Sequence, residues 1–453
     1  MAGIFKAYDV RGIYPDQLDE TIAEQVGLAF RQVLDPEALE RSNAVVVGRD
    51  MRPHSEPLAQ ALIAGLRASG LDVIDVGLVT TPMNYFAVGH LGTAGGVQVT
   101  ASHNPARYNG LKFSREGARP VSGDHGIPLI ESLVQGGQLE PADVPGGIER
   151  REIFSAYGEH ALSYLVPANE SDDRRLKVAV DAANGMGTIY LPLLEKLGVE
   201  ILPLYFELDG SFPNHEANPL KYENLRDLSE LVRREGADLG ICFDGDADRA
   251  AFVDETGEPI GSDLATALIA GELLARDPGH HVLYDLRSSR AVAEYIEEKG
   301  GVPVRERVGH SFMKATLREK NGIFGGELAG HYYFRDNYYA DSALMAVVEI
   351  INLIRHRGVK MSEIVAPLLR YAKSQEINFE VEDKQGKIAE LAERYTDGKI
   401  DYLDGITVGY DDWWFNVRPS NTEPFLRLVL EARDDEMLTA RRAKLEALLG
   451  NPV

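Results

Sequence analysis

Cysteine is almost absent from this chain: Cys242 is the only one among 453 residues. A lone thiol rules out an internal disulfide framework and fits a reducing compartment, so a cytoplasmic protein is expected. Long apolar runs are missing too. The longest, "ATALIAGELLA" and "ALMAVVEIINLI", are broken by Glu272 or Glu349 and are too short to span a bilayer. The opening "MAGIFKAYDVRG" turns polar almost at once, unlike a secretory signal. Basic residues are scarce: 47 Lys and Arg against 71 Asp and Glu leave a net charge of -24. That field repels nucleic acid and anionic membrane and excludes both as partners, while an anionic substrate has to be met by cations gathered locally.

What is present is the composition of a soluble globular enzyme, 44% hydrophobic and 26% charged. The chain is too long for one core. Short β-branched runs alternate with amphipathic patterns: "NAVVVG", "SEPLAQALIAGLRASG", "LDVIDVG"; then "LKVAVDAANGMG", "TIYLPLLEKLG", "VEILPLYF"; then "HVLYDL", "SSRAVAEYIEEKG", "VPVRERVGH", "SFMKATLREKNG" and "IFGGELAGH". This order predicts strand–loop–helix units with mixed sheets, repeated in structure rather than in text. Thr81 is expected to cap a helix whose first residue is Pro82. Proline and glycine place boundaries near 141–149 and 253–263, and from about Pro367 the alternation turns antiparallel, as in "WWFNVRPS" and "FLRLVLEAR". The expected fold class is α/β, with three similar α/β domains (1–147, 148–256 and 257–366) and a smaller α+β domain (367–453).

The strongest chemical signal is "DGDADR", 244–249, directly after the apolar run "LGICF". Asp244, Asp246 and Asp248 repel one another unless a hard cation binds between them, and magnesium suits the site if a phosphate supplies further ligands. The run also reaches Glu255 at the twelfth position, like a calcium loop. Arg249 at the sixth position, where that loop needs glycine, and the strand-like "AAFV" argue against it. "VRPSNTEP", 417–424, offers Arg418, Ser420, Asn421 and Thr422, a set suited to a phosphate dianion, although a plain turn between strands explains it equally well. "GGELAGH", 325–331, surrounds Glu327 and His331 with glycines, as a sugar-binding loop or a simple hairpin would. Arg11, Arg49 and Arg52 either form an anion site or pair with surface carboxylates. His310 stands at a strand–helix junction, where capping by Ser311 is the default reading.

"TASHNPARYNG", 100–110, places Ser102 and His103 after the buried-looking run "GGVQV", at the strand end where open α/β sheets bind ligands. Adjacent residues rarely face each other, and no G-x-S-x-G elbow is present, so a hydrolase dyad is a poor reading. Ser102 fits better as a phosphoryl acceptor served by the acidic metal loop and the distant phosphate loop.

"TASHNP", "DGDADR", "GGELAGH" and "RPSNTEP", in that order, with "AYDVRG" and "YNGLKF", resemble the signature loops of the α-D-phosphohexomutase family across essentially the whole chain. The likeness is greatest to its bacterial phosphomannomutase/phosphoglucomutase group. It implies four domains around a central cleft, each giving one loop. It also implies phosphoserine at Ser102, which with Asp244, Asp246 and Asp248 holds Mg2+. Glu327 then binds sugar hydroxyls, and Arg418, Ser420, Asn421 and Thr422 bind the non-reacting phosphate. Tyr8, Arg11, His103, Lys112, Arg249, His310 and His331 match further site positions. The implied reaction interconverts hexose 1-phosphate and 6-phosphate of mannose or glucose through a hexose 1,6-bisphosphate, which also serves as activator and turns round in the cleft, in a monomer or homodimer. Lys112 is the expected proton-transfer group, its pKa lowered by cations such as Arg11. Two departures bear on the choice of hexose: Ala329 stands where relatives commonly have serine, and Arg287 where some have lysine. The alternatives are a phosphoglucosamine mutase, disfavoured by Leu328 where that group carries glutamine, a metal-dependent sugar phosphatase and a non-catalytic calcium or sugar-phosphate binding module.

Overall fold

A computed structural model describes residues 3–123, 126–137, 139–166, 175–420 and 425–453. They form four sheets. In the first, the central strand Gly95–Val99 runs parallel to Ala44–Arg49 and antiparallel to Tyr108–Arg115. In the second, Leu239–Phe243 runs parallel to Lys177–Asp181 and antiparallel to Ala250–Asp254. In the third, Phe324–Gly326 runs parallel to His281–Asp285 and antiparallel to Tyr332–Phe334. These are the three mixed sheets that the alternating pattern predicts. The fourth sheet is antiparallel and built around Trp413–Pro419 paired with Phe425–Ala432. Each signature segment is therefore the connection at one place in its sheet: 100–107, 244–249, 327–331 and 420–424 each join the central strand to its antiparallel neighbour. Polar side chains emerge there because the strands before them are buried along their length, five of five residues in both Gly95–Val99 and Leu239–Phe243.

Some local expectations shift. The first sheet extends past residue 147, because Ile148–Arg150 adds an edge strand beside Asp72–Leu78. The second extends past 256, because "ETGE" is a tight turn returning Pro259–Ile260 against Phe252 and Val253. "TIYLPLLEKLG" is a broken helix, with one α turn at Leu191–Leu194 flanked by 3-10 turns. Pro192 has no N–H to continue a regular ladder from the preceding turn.

One apolar core runs through the first three units, joining Val46 and Phe86 to Val180 and Phe243 and to Phe324 and Leu344. The helix Ala343–Arg357 lies inside it, buried from Ala343 to Ile354. The fourth unit has a core of its own, around Phe379, Trp413, Phe415 and Leu430. Polar contacts join it to the third: the Arg290 guanidinium donates to the carbonyls of Tyr410 (2.6 Å), Asp411 (2.8 Å) and Trp413 (2.9 Å), and Arg305 pairs with Asp401.

Candidate active site

The serine loop is shaped by a buried arginine. Arg52, 2% exposed, donates to the carbonyls of Ser102 (2.9 Å), Asn104 (2.6 Å), Pro105 (2.9 Å) and Tyr108 (3.0 Å), and is held by Asp50 at 3.2 Å. Burying a guanidinium is costly unless its donors are satisfied, and here the loop's carbonyls satisfy them. Ser102 itself has φ 49, in the left-handed region, and its N–H donates to the Thr100 hydroxyl at 2.9 Å. Gly245 makes the close approach of the metal loop possible: a Cβ there would lie 2.4 Å from the Ser102 carbonyl oxygen.

The Ser102 hydroxyl thereby donates to Asp244 at 2.9 Å, and the His103 Nδ1 lies 3.4 Å from the same oxygen. Asp244, Asp246 and Asp248 converge with ligand oxygens within 4.8 Å of one another. Asp244 Oδ1 accepts from the backbone of Asp248 (3.1 Å) and Arg249 (3.2 Å). Lys112 Nζ donates to Asp246 (2.7 Å) and Asp248 (2.5 Å), and the Thr81 hydroxyl also donates to Asp246, at 2.5 Å. The second oxygens of Asp246 and Asp248 are buried without a hydrogen-bond partner among the described residues, although Arg249 and His331 stand 3.9 and 3.8 Å from that of Asp248. Two orphaned carboxylate oxygens beside a third carboxylate are a donor set for a hard divalent cation. Burial and the charges of Asp248 and Asp246 push the Asp244 carboxyl well above its usual range. Burial alone would raise Asp246 as well, but Lys112 and Thr81 pull it below.

Lys112 corrects an expectation. Burial lowers its pKa, but Asp246 and Asp248 outweigh burial and hold it well above the usual lysine range. Arg11, expected to lower it, instead binds the Asn104 side chain at 2.7 Å and Asp9. His103 behaves oppositely: burial, then Arg249 and Arg11, keep its imidazole neutral, well below 6.5. Of the other arginines, Arg49 pairs with the exposed Glu56 rather than joining the site.

From the third sheet, Glu327 accepts from the Gly309 N–H at 3.0 Å and from the Tyr333 hydroxyl, at the start of the helix His310–Glu319. Ser311 does not cap that helix; its hydroxyl is buried without a partner among the described residues. Likewise Thr80, not Thr81, caps Thr81–His90, which frees Thr81 for Asp246. His310 packs edge-on against Tyr8, ring centroids 5.1 Å apart, and burial and Lys314 keep it neutral. His331 Nε2 accepts from Arg249 Nε at 3.0 Å, while its Nδ1 faces Asp341 at 3.0 Å. Asp341 is in turn paired with the buried Lys314 at 2.6 Å, which lies 3.8 Å over the Tyr85 ring. This chain ties the metal loop to the third and first units and fixes the His331 ring. Ala329 and Leu328 are partly exposed beside it, the Leu328 N–H held by Asp285 at 2.7 Å.

Arg287 forks onto Asp285 (3.1 and 2.7 Å). Glu376 then gathers three arginines: Arg418 at 2.7 Å, Arg427 at 3.1 Å and Arg287 at 3.5 Å. Burial would raise the Glu376 carboxyl, but these cations hold it low. Ser420 follows Arg418 at the strand end, its N–H on the Phe425 carbonyl at 2.9 Å. Asn421 and Thr422 lie outside the described residues. Glu255 bonds to Ser362, away from the three aspartates, as the rejection of a calcium loop requires. Glu376, Asp285, Asp341 and Lys314 had no motif to announce them, and Arg52 no sign that it would hold the serine loop, whose carbonyls lie 50 to 56 residues along the chain.

Four family models, in order, match the chain: "Phosphoglucomutase/phosphomannomutase, alpha/beta/alpha domain" I at residues 2–140, II at 155–257 and III at 261–371, and the C-terminal domain at 376–448. Phosphohexose mutases of Xanthomonas campestris are 41% identical over 97% of both chains. A phosphomannomutase of Vibrio cholerae is 37% identical over 95% of this chain and 94% of its own. The crystal structure of a phosphoglucomutase/phosphomannomutase family protein from Burkholderia thailandensis superposes with a TM-score of 0.89 at 34% identity, covering 99% of this chain and 98% of that one.

Proposed function

The chain belongs to the phosphoglucomutase/phosphomannomutase family and is a phosphohexomutase; we propose that Ser102 is its phosphoryl carrier and that Asp244, Asp246 and Asp248 hold Mg2+ beside it. The observation that carries this reading is the Ser102 hydroxyl 2.9 Å from Asp244, inside a nest with two carboxylate oxygens that have no hydrogen bond among the described residues. When bound, the ion neutralises charge on the phosphoryl oxygens. Lys112 and Arg249 add fixed positive charge where the group is in flight. Arg11 holds the serine loop through Asn104, and neutral His103 supports the Ser102 oxygen.

The substrate is a phosphosugar, hexose 1-phosphate or hexose 6-phosphate. In the proposed cycle phosphorylated Ser102 gives its phosphoryl group to the free sugar hydroxyl, producing a 1,6-bisphosphate, and takes back the phosphate from the other end after the sugar turns. Glu327, His331, His310, Tyr8, Arg287 and the Ala329 backbone line the sugar's side. Arg418, Ser420, Asn421 and Thr422 take the phosphate that is not reacting. This assigns one loop to each of the domains 1–147, 148–256, 257–366 and 367–453, with the sheet-edge adjustments given above. The polar seam and separate core of the fourth domain suit a rotation that opens the cleft without disturbing the other three. We place the protein in the cytoplasm on its single cysteine, as a monomer or homodimer with no nucleic-acid or membrane partner; no described helix is long and apolar enough to cross a bilayer.

The test is direct. Purified protein with magnesium, glucose 1-phosphate or mannose 1-phosphate, and a trace of the matching 1,6-bisphosphate is expected to yield the 6-phosphate without free phosphate. Release of free phosphate in step with substrate loss would instead mean a hydrolase.

A further inference from the structure

Where the first unit meets the third lies a cavity of about 490 Å3, within the range of small-molecule sites. Arg115 and Arg119 stand on one wall; Arg307, Ser311, Phe312 and Arg318 stand on the other. In a chain with 71 acidic and 47 basic residues, arginines ordinarily find carboxylates. Two of these four do not, among the described residues. Arg307 lies 3.3 Å over the Phe312 ring and has no carboxylate partner among the described residues. Arg318 bonds only to the carbonyls of Gly117 and Tyr338, both at 2.9 Å, and stacks on Tyr339. Arg115 and Arg119 share Asp35, at 3.4 and 3.9 Å.

The carboxylates on the cavity wall do not neutralise them. Glu306 spends its oxygens on the Arg307 N–H (2.9 Å) and the Thr316 hydroxyl (2.6 Å), and Glu319 pairs with Lys320. Burial, and then the charge of Arg119, lower the Arg318 pKa, so like charges face each other across the space. Two buried polar atoms, the Ser311 hydroxyl and Arg115 Nε, have no hydrogen-bond partner among the described residues. Two guanidinium groups with no carboxylate partner among the described residues, two more sharing one carboxylate, an orphaned hydroxyl and an apolar ring together match a phosphoryl group carried on a small organic body.

We propose that this cavity binds a phosphate-bearing small metabolite through its phosphoryl oxygens, at a site separate from the catalytic cleft. None of its lining residues lies in the serine, metal, sugar or phosphate loops, although Lys314 on its wall pairs with Asp341, which holds His331; Phe312 stands against Tyr8, ring centroids 6.0 Å apart. The helix His310–Glu319 flanks the cavity along its side and begins at His310 in the cleft, so an occupant braces that helix against the first sheet. The inference rests on charge and volume, not on which hexose the cleft takes.

Titration calorimetry tests it on the magnesium-loaded enzyme, using inorganic phosphate and, separately, ribose 5-phosphate as probes, with the arginine variants distinguishing this site from the catalytic cleft. One further site per chain is expected, weakened at least ~10-fold when Arg119→Gln is combined with Arg307→Gln and by roughly 3-fold in Arg119→Gln alone. The single variant changes a side chain that is 48% exposed, so it keeps the test standing if the double variant does not fold. Tighter binding of the ester identifies a metabolite site and equal binding a free-phosphate site; both keep the oxyanion pocket. No binding beyond the cleft, or an affinity unchanged in the single variant or in the double variant, overturns it.

Discussion

Ser102→Ala is expected to lose at least ~1,000-fold in turnover, about 4 kcal/mol of barrier, while keeping its fold. The loss follows from chemistry, because alanine has no oxygen to carry a phosphoryl group between the two ends of the sugar. Retention of the fold follows from the local structure. The four carbonyls of the serine loop stay on Arg52, and the Ser102 N–H stays on Thr100. The hydroxyl's bond to Asp244 and its 3.4 Å contact with His103 Nδ1 go, a change of about 1 kcal/mol. Substrate affinity should change little, since the sugar and phosphate loops are untouched. Circular dichroism, a melting curve and a coupled assay on the same preparation check all three points. Turnover within tenfold of the parent enzyme would show that phosphoryl transfer does not pass through Ser102.

Two isosteric changes in the acidic nest should abolish metal-dependent activity, by ~100-fold or more, yet move stability in opposite directions. Asp244 has a carboxyl pKa raised by burial and by its acidic neighbours. A folded-state pKa above the unfolded value means that the native state holds the proton more tightly, so stability falls as pH rises through the window above 3.8. At neutral pH the charge therefore opposes folding in the metal-free protein. Asp244→Asn removes that charge while its side-chain oxygen can still accept from the Asp248 and Arg249 N–H groups. The melting temperature of the metal-free protein should rise, and magnesium should no longer raise it further.

Asp246 is the reverse case. Its pKa is depressed because Lys112 and Thr81 favour the carboxylate, so it stabilises the fold above the unfolded value and loses that benefit as pH falls through the depressed one. Asp246→Asn leaves buried Lys112 with Asp248 alone and should cost about 2–3 kcal/mol, less than removing a sole partner. Melting curves of the two variants with and without magnesium decide the matter. If both variants melt lower than the parent without metal, the three aspartates are a structural network rather than a vacant-charge nest tuned for an ion.

The fold class was legible because the first two central strands are dominated by small and apolar residues and end abruptly in polar ones, as at Val99–Thr100 and Phe243–Asp244. The motif order was legible for the same reason. What one chain read in order hides is charge that meets across the fold. Lys112 looks like a lysine among cations, with Arg11 and Arg115 in the same sheet; its real neighbours, Asp246 and Asp248, come from another sheet 134 and 136 residues away, and they reverse the direction of its pKa. Arg52 resembles a surface arginine until the loop of residues 102–108 wraps round it. Glu376 sits in a stretch with no pattern of its own and still organises Arg418, Arg427 and Arg287. Thr81 and Ser311 show a milder effect. Helix starts can be read to within a residue, but a shift of one decides whether a hydroxyl caps a helix or serves the site.

The most direct measurement of the central claim is the fate of labelled phosphate. Enzyme incubated with magnesium and glucose 1,6-bisphosphate carrying radiolabelled phosphate, then digested and mapped, is expected to carry label on the peptide containing Ser102 and nowhere else. That label should pass to sugar, through the 1,6-bisphosphate to glucose 6-phosphate, when unlabelled glucose 1-phosphate is added. Label that never appears on Ser102, or that leaves it only as free phosphate, would contradict the account.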